Sequence, residues 1–240
     1  MSTKRRRSDG EGYKARAIKA VKSISGLRRM YAKDLLLAKS KYVSRRGMTP
    51  EIKNIDTGLA GTNLTSSGGM TLLNGCAEGT DIGNRVGRKI EMTSATVSFS
   101  VAGTITTLSA AASYPQEANW IKVALVYDKQ SNTAAPNFSD IFTVSATTRA
   151  PYGQRDVNYT DRFDILKTWN LQICAQGPNA AYAIDEYIPM KLPVKYDASN
   201  AGNITDITSG ALYLVYCDSN QVAGNYTVLN GQCRVRFRDM

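Results

Sequence analysis

The sequence predicts an all-β body, a sandwich or barrel, behind a basic and partly helical N-terminal arm. Three observations predict it. From residue 50 onward, apolar residues alternate with polar ones in short runs, the period of half-buried strands. Stretches rich in Ser, Thr, Asn and Gly separate those runs, as they do in sandwiches and barrels. Charge is segregated as well: residues 1–46 hold fifteen Lys+Arg against three acids, net +12, and the other 194 hold fifteen against seventeen, net −2. Positive charge confined to one arm marks binding to a polyanion, with the folded part serving another purpose.

The arm reads in two pieces. Lys4, Arg5, Arg6 and Arg7 form a basic tip, followed by Ser-Asp-Gly-Glu-Gly, a composition that predicts disorder and a flexible joint. From Tyr13 onward, Ile18, Val21, Ile24, Leu27, Tyr31 and Leu35 recur at spacings of three and four, one apolar face of a helix. Lys14, Arg16, Lys19 and Lys22 lie mostly off that stripe. Gly26 marks a weak point between two shorter helices, since glycine in a helix interior costs about 1 kcal/mol. Arg28, Arg29, Lys33, Lys39, Lys41, Arg45 and Arg46 continue the charge until Gly47 and Pro50 end the arm. All fifteen cations are candidate phosphate contacts, which hold nucleic acid without reading bases and weaken steeply with salt. A membrane-surface helix and a solvated helix with no partner are the competing readings. Lys4, Arg5, Arg6 and Arg7 also fit a nuclear-import patch.

The body, residues 47–240, reads as one domain of about eight strands. Ile52–Ile55 and Met70–Leu73 open it. Between Ile90 and Val101 the apolar parity flips, from Ile90 and Met92 to Val97, Phe99 and Val101, which predicts a bulge or a bent strand. Ile121, Val123, Leu125 and Tyr127 alternate with Lys122, Ala124, Val126 and Asp128. Phe163, Ile165, Trp169, Leu171 and Ile173 share one parity, as do Ile184, Ile188, Met190 and Leu192. Leu212, Leu214 and Tyr216 form a further run, and Cys233, Val235 and Phe237 close the chain. Residues 103–119 and 130–161 are too long for hairpin loops. The second predicts a short helix after Pro136, capped by Asn137 or Ser139 ahead of Asp140-Ile-Phe.

The chain contains no histidine. Ser-His-Asp and Cys-His arrangements are therefore excluded, no imidazole serves as a base near neutrality, and zinc loses its commonest nitrogen ligand. Asp185 and Glu186 are adjacent in a strand and point to opposite faces, so they form no glycosidase pair; Asp161 and Asp164 also differ in parity. The sequence predicts no enzyme and no cofactor; it nominates no metal ligands, and a divalent cation held by acids or carbonyls at a symmetry axis stays open. Cys76, Cys174, Cys217 and Cys233 form no CxxC pair and are expected to be reduced and mostly buried. No apolar h-region follows the opening residues and no run approaches 18 apolar residues, so neither a signal peptide nor a membrane span is expected.

Four motifs occur in order: Gly79-Thr-Asp-Ile-Gly-Asn-Arg85-Val-Gly87-Arg-Lys-Ile90, then Val123-Ala-Leu-Val-Tyr127-Asp-Lys-Gln130, then Ala135-Pro136 with Asp140-Ile141, then Arg162-Phe-Asp-Ile-Leu166. Over roughly residues 75–176 this order resembles capsid proteins of small circular Rep-encoding single-stranded DNA viruses. It looks closest to the circovirus-like branch whose shells are similar to satellite tobacco necrosis virus. The resemblance implies a single eight-stranded antiparallel jelly-roll sandwich assembled as a homo-oligomeric T=1 shell of about sixty copies. It implies arms pointing inward onto a single-stranded DNA genome and localisation in the virion; with the basic run Lys4–Arg7, a host import receptor and assembly in the host nucleus are the matching expectations. With sixty arms of +12 each, the shell would neutralise on the order of 700 phosphates. RNA is a rival cargo, as in heterologous assembly or a satellite RNA virus. A soluble nucleic-acid-binding β-sandwich module and a jelly-roll lectin are the rival functions.

Within the body, Arg234, Arg236 and Arg238 share one face of the last strand. They read either as a second, rigid phosphate-contacting row or as partners of neighbouring carboxylates or subunits. Trp120, Trp169, Tyr182, Tyr187, Tyr196, Tyr213 and Tyr216 are expected in the core or in subunit contacts, with base stacking as the rival role. In Arg85-Val-Gly87-Arg88-Lys89, Gly87 is expected to supply a turn conformation and the basic side chains to line a loop. No GxxxxGK[ST] spacing makes it a phosphate loop.

Overall fold

The computed structural model describes residues 51–105, 118–143, 150–174, 181–197, 199–219 and 225–240. The predicted arm helix, the basic tip and every arm cation from Lys4 to Arg46 lie outside the described residues. The described part is built from nine strands: β1 (Ile52–Leu64), β2 (Gly69–Leu72), β3 (Lys89–Ile105), β4 (Ala118–Asp128), β5 (Phe163–Cys174), β6 (Ala181–Tyr196), β7 (Ile207–Ser209), β8 (Ala211–Asp218) and β9 (Asn225–Asp239). They form a five-stranded sheet, β1-β9-β3-β6-β7, and a four-stranded sheet, β2-β8-β4-β5.

Eight of these strands correspond to the eight expected. The ninth, β7, is a three-residue pairing on the end of β6, too short to leave a period in the sequence. With β7 set aside, the first strand pairs with the last (β1·β9), the second with the seventh (β2·β8), the third with the sixth (β3·β6) and the fourth with the fifth (β4·β5), all antiparallel. This is one long hairpin of strand pairs rolled into two sheets, the jelly roll. The β3·β9 and β4·β8 pairings complete the sheets.

The parity flip in β3 is a bulge: its register with both β6 and β9 shifts between Met92 and Ser94. Ile90 and Met92 before it, and Ala95, Val97, Phe99 and Val101 after it, are all buried. The extra residue lets one long strand keep an apolar inner face on both sides of a bend. Across the sandwich, Phe99 of β3 meets Trp169 of β5 edge to face at 5.5 Å. Tyr127 of β4 donates its hydroxyl to Pro193 O of β6 at 2.5 Å.

The middle of the four-stranded sheet is buried on both faces, while β2 and most of β5 at its edges are partly exposed. Every residue of β8 is buried, because the excursion between β4 and β5 folds over the outer side. Helix α1 (Phe138–Ile141) lies within it, where a short helix is expected from the sequence. Asn137 is the cap residue, and Asp140 reaches back to accept from Asn137 N–H at 2.7 Å. Phe138, Ile141 and Phe142 are buried and give this face its own apolar cover. At the β7–β8 turn Gly210 sits at φ +89, and a Cβ there would collide with Pro193 O. Only glycine satisfies both conditions.

Candidate nucleic-acid interface

The described part of the candidate interface is the solvent face of β9. This strand lies between β1 and β3 at the interior of the five-stranded sheet. Period-2 alternation buries Cys233, Val235 and Phe237 and exposes Arg234, Arg236 and Arg238. The three guanidinium groups therefore form a row on a rigid strand. Their cross-strand neighbours differ. Arg234 lies between Asp56 and Thr96, Arg236 between Asn54 and Ser94, and Arg238 between Ile52 and Glu91.

Arg234 is paired. Its Nε and an Nη donate to the two carboxylate oxygens of Asp56 at 2.6 and 2.7 Å, a fork geometry that only arginine offers. Those hydrogen bonds from Arg234 hold the Asp56 carboxyl below its ordinary value of 3.8. No ion pair to Arg236 or Arg238 occurs among the described residues. Beside the pair, Thr96, Ser98, Gln232, Arg234 and Arg236 line an open polar depression of about 310 Å³. Arg234 is held there by Asp56 and the Ser98 hydroxyl by Asp185, so Arg236 and Thr96 are the cationic and hydroxyl donors the depression offers to phosphate oxygens.

The other sequence candidates separate into buried and exposed. Tyr196, Tyr213, Tyr216 and Trp169 are buried; Trp120 and Tyr187 are exposed and Tyr182 is half-buried. Trp169 Nε1–H donates to Glu186 at 2.9 Å, while Asp185 accepts from Ser98 Oγ on the opposite, solvent face. The two adjacent acids share no site. Cys76, Cys217 and Cys233 are free and buried. Burial pushes their thiols up to about 11, 12 and 12, which leaves them unreactive at neutral pH. The side chain of Cys174 lies outside the described residues. Among the described residues no three His, Cys, Asp or Glu groups converge as metal ligands, and no helix is long and apolar enough to cross a membrane.

Two expectations are corrected. Arg85 does not line a loop: it is fully buried. Its Nε donates to Cys76 O at 3.2 Å, Nη1 to Gly87 O at 2.9 Å and Nη2 to Ser199 O at 2.8 Å. Its guanidinium also stacks 4.6 Å over the Tyr196 ring and pairs with Glu78 at 3.3 Å. The donors of this one arginine satisfy two carbonyls of the 76–90 segment and tie it to the Ser199 carbonyl of a distant loop. Gly87 is not in the left-handed region; its part in the turn is the carbonyl that Arg85 holds.

Sequence reasoning also passed over further buried charges, Asp128 and Lys122 among them. Asp128, fully buried, accepts two hydrogen bonds from Arg162 at 2.9 and 2.8 Å, locking the end of β4 to the start of β5. Both residues belong to the four ordered motifs, a signal for long-range pairing. Lys122 is buried on the outer side of β4, its ammonium donating to Gly153 O and lying 4.7 Å over the Phe142 ring. Burial lowers its pKa. A lone lysine in an apolar run was the available hint.

The two-sheet jelly roll is a fold that the shell domains of viral coat proteins share with many unrelated proteins. The sequence profile of the Geminivirus coat protein/nuclear export factor BR1 family matches residues 4–240. The chain belongs to that family. The match spans the arm as well as the body, a longer reach than the 75–176 resemblance. It is a capsid protein of the single-stranded DNA virus kind. No curated protein matches the chain. Among solved structures, it is similar to that of Desmodium yellow mottle tymovirus, at 10% identity over 79% of this chain and 89% of that one, TM-score 0.28. It is also similar to Cocksfoot mottle virus, at 11% identity over 78% and 91%, TM-score 0.24. For the infectious bursal disease virus Gx strain the figures are 13% identity over 80% of this chain but 33% of that one, TM-score 0.27.

Proposed function

We propose that this coat protein closes a T=1 shell of about sixty copies around single-stranded DNA. The observation that carries the reading is a jelly-roll body of net −2 behind an arm of net +12, in a chain that a coat-protein family profile matches over residues 4–240. The arm, residues 1–46, is the nucleic-acid-binding unit, and residues 47–240 form the shell domain. Arm cations neutralise phosphates without base recognition, while a near-neutral body lets neighbouring copies pack without mutual repulsion. Lys4, Arg5, Arg6 and Arg7 form the segment an import receptor would take, placing assembly in the host nucleus. RNA satisfies the same phosphate chemistry.

The test is to express the full chain and examine it by negative-stain microscopy with absorbance at 260 and 280 nm. Uniform closed particles of one size with a raised 260/280 ratio are expected, and deoxyribonuclease sensitivity of the extracted cargo identifies DNA. A dispersed monomer or dimer across salt and pH would instead favour a soluble nucleic-acid carrier.

The Arg234, Arg236 and Arg238 row is proposed as a second phosphate contact. Replacing all three by Gln is expected to lower cargo per particle. Asp56→Asn is expected to act in the opposite direction, because it releases Arg234 and adds one positive charge per copy. The sign of the pH effect agrees: a depressed carboxyl stays ionised above its ordinary range, so Asp56 holds Arg234 throughout neutral pH and lets go only as pH falls below 3.8. Unchanged cargo in both variants, with normal particles, would assign the row to structure alone.

A further inference from the structure

Nine large apolar side chains of the described body are exposed: Ile52, Ile82, Val86, Trp120, Tyr152, Val157, Tyr159, Tyr187 and Met240. They are not scattered. The ends of β1 and β9 and the loop before β3 gather four of them. Ile52 is in register with Arg238, Asn54 N–H donates to Ile82 O at 3.1 Å, Val86 N–H donates to the Asp239 carboxylate at 3.1 Å, and Met240 N–H donates to Lys89 O at 3.1 Å. Ile52, Ile82, Val86 and Met240 are each more than half exposed. All four lie at one corner of the five-stranded sheet, interspersed with the exposed side chains of Arg88, Lys89 and Arg238.

Another four lie on the other side of the sandwich. Trp120 points outward from β4, with the parity of Lys122 and away from the core residues Ile121 and Val123. Tyr152 packs against it with ring centroids 6.0 Å apart. Val157 and Tyr159 belong to the same excursion, tied to α1 through Asp156 N–H and Ile141 O at 3.0 Å and to β5 through the Tyr159–Phe163 ring contact. Val157 is 78% exposed. The four are strung as a band along the outer side of the four-stranded sheet, from Trp120 near the start of β4 to Tyr159 beside Phe163, which pairs with the end of β4. Only Tyr187 falls outside the two patches.

We infer that these patches are the two halves of one subunit contact, the corner of one copy seating on the band of the next. The inference rests on the coat-protein reading, which supplies the occupant: a second copy of this chain. Geometry supplies the mode. The patches lie on opposite sheets of the sandwich, so one copy cannot present both to the same neighbour across a two-fold axis. Unlike surfaces meeting head to tail generate rings, which a closed shell needs around its axes. The body's net charge of −2 leaves no strong repulsion between copies. Exposed apolar side chains grouped in this way mark contact surfaces rather than solvent faces.

Val86→Asp disables the corner and Val157→Asp the band, each at a side chain that makes no core contribution. Wild-type chain, each variant, and their equal mixture are compared by sedimentation velocity and microscopy, with circular dichroism confirming the fold. Each variant alone is expected to lose closed particles and sediment as monomer. The mixture is expected to give a one-to-one dimer, since an intact band on one variant meets an intact corner on the other. Met240→Asp and Tyr159→Asp are the second pair should either valine variant misfold. Particles formed by either variant alone, or a mixture that remains monomeric, overturns the inference while leaving the coat-protein reading in place. A dimer from a single variant overturns the head-to-tail mode. A wild-type chain that never assembles removes the coat-protein reading itself, and this inference with it.

Discussion

Removing residues 1–46 is expected to strip the protein of most of its nucleic acid and leave the β body folded. The first half follows from charge. The deleted arm carries net +12, and the remaining body carries −2. For single strands, affinity falls with salt at a slope of about −0.7 per neutralised phosphate, so ten arm contacts would give a slope of about −7. The Arg234, Arg236 and Arg238 row alone supplies about −2 at most. Fluorescence anisotropy of a labelled single-stranded oligonucleotide across salt concentrations measures this change. The second half follows from the core. Every buried residue of the described body lies between Lys53 and Phe237, and β1 begins at Ile52, beyond the deletion point. The far-UV circular dichroism of the truncated chain should therefore keep its β signature. A truncated chain that binds with the original slope would place the nucleic-acid contacts on the body.

The fold was legible where residues repeat with a period and obscure where single residues act over distance. Eight strands left alternating runs, and the parity change between Met92 and Val97 located the β3 bulge. The helix at Phe138–Ile141 announced itself through Asn137, Asp140 and the preceding proline. No period carries information on Arg85, whose partners are Cys76, Gly87 and Ser199. Ser199 is 114 residues away in sequence, and nothing local says that a charged side chain will be enclosed. Asp128 and Arg162 are similar: each looks like a polar residue at a strand end until the β4–β5 pairing brings them together. The motifs that carried the family resemblance thus turn out to fix turns and strand ends. The candidate interface divides along the same line. The β9 row followed from alternation alone, whereas the pairing of Arg234 with Asp56 required the β1·β9 register.

The same reasoning makes Arg85 the side chain of the body with the largest expected effect on folding. Arg85→Met keeps much of the apolar stem and removes every donor. Cys76 O is left buried without its side-chain partner, Gly87 O and Ser199 O lose theirs, and the stacking on Tyr196 is lost. Each abandoned buried acceptor costs about 1–3 kcal/mol. Because Ser199 is exposed and water can replace part of its loss, a total of about 3 kcal/mol is expected. For a body of this size that lowers Tm by roughly 6–12 °C. The Glu78 pair adds little, since that carboxylate is 47% exposed and screened by solvent. Arg85→Lys should recover only a fraction, because an ammonium cannot span three carbonyls set around a planar fork. Thermal and urea unfolding of the full chain measure both variants, and a loss below about 1 kcal/mol would show the clamp to be dispensable. The effect also reaches assembly. Arg85 lies between Ile82 and Val86 of the proposed contact corner, so its hydrogen bonds hold that corner in shape. Arg85→Met chains should lose closed particles at temperatures where circular dichroism still reports an intact sandwich, because local opening of the 76–90 segment costs less than global unfolding.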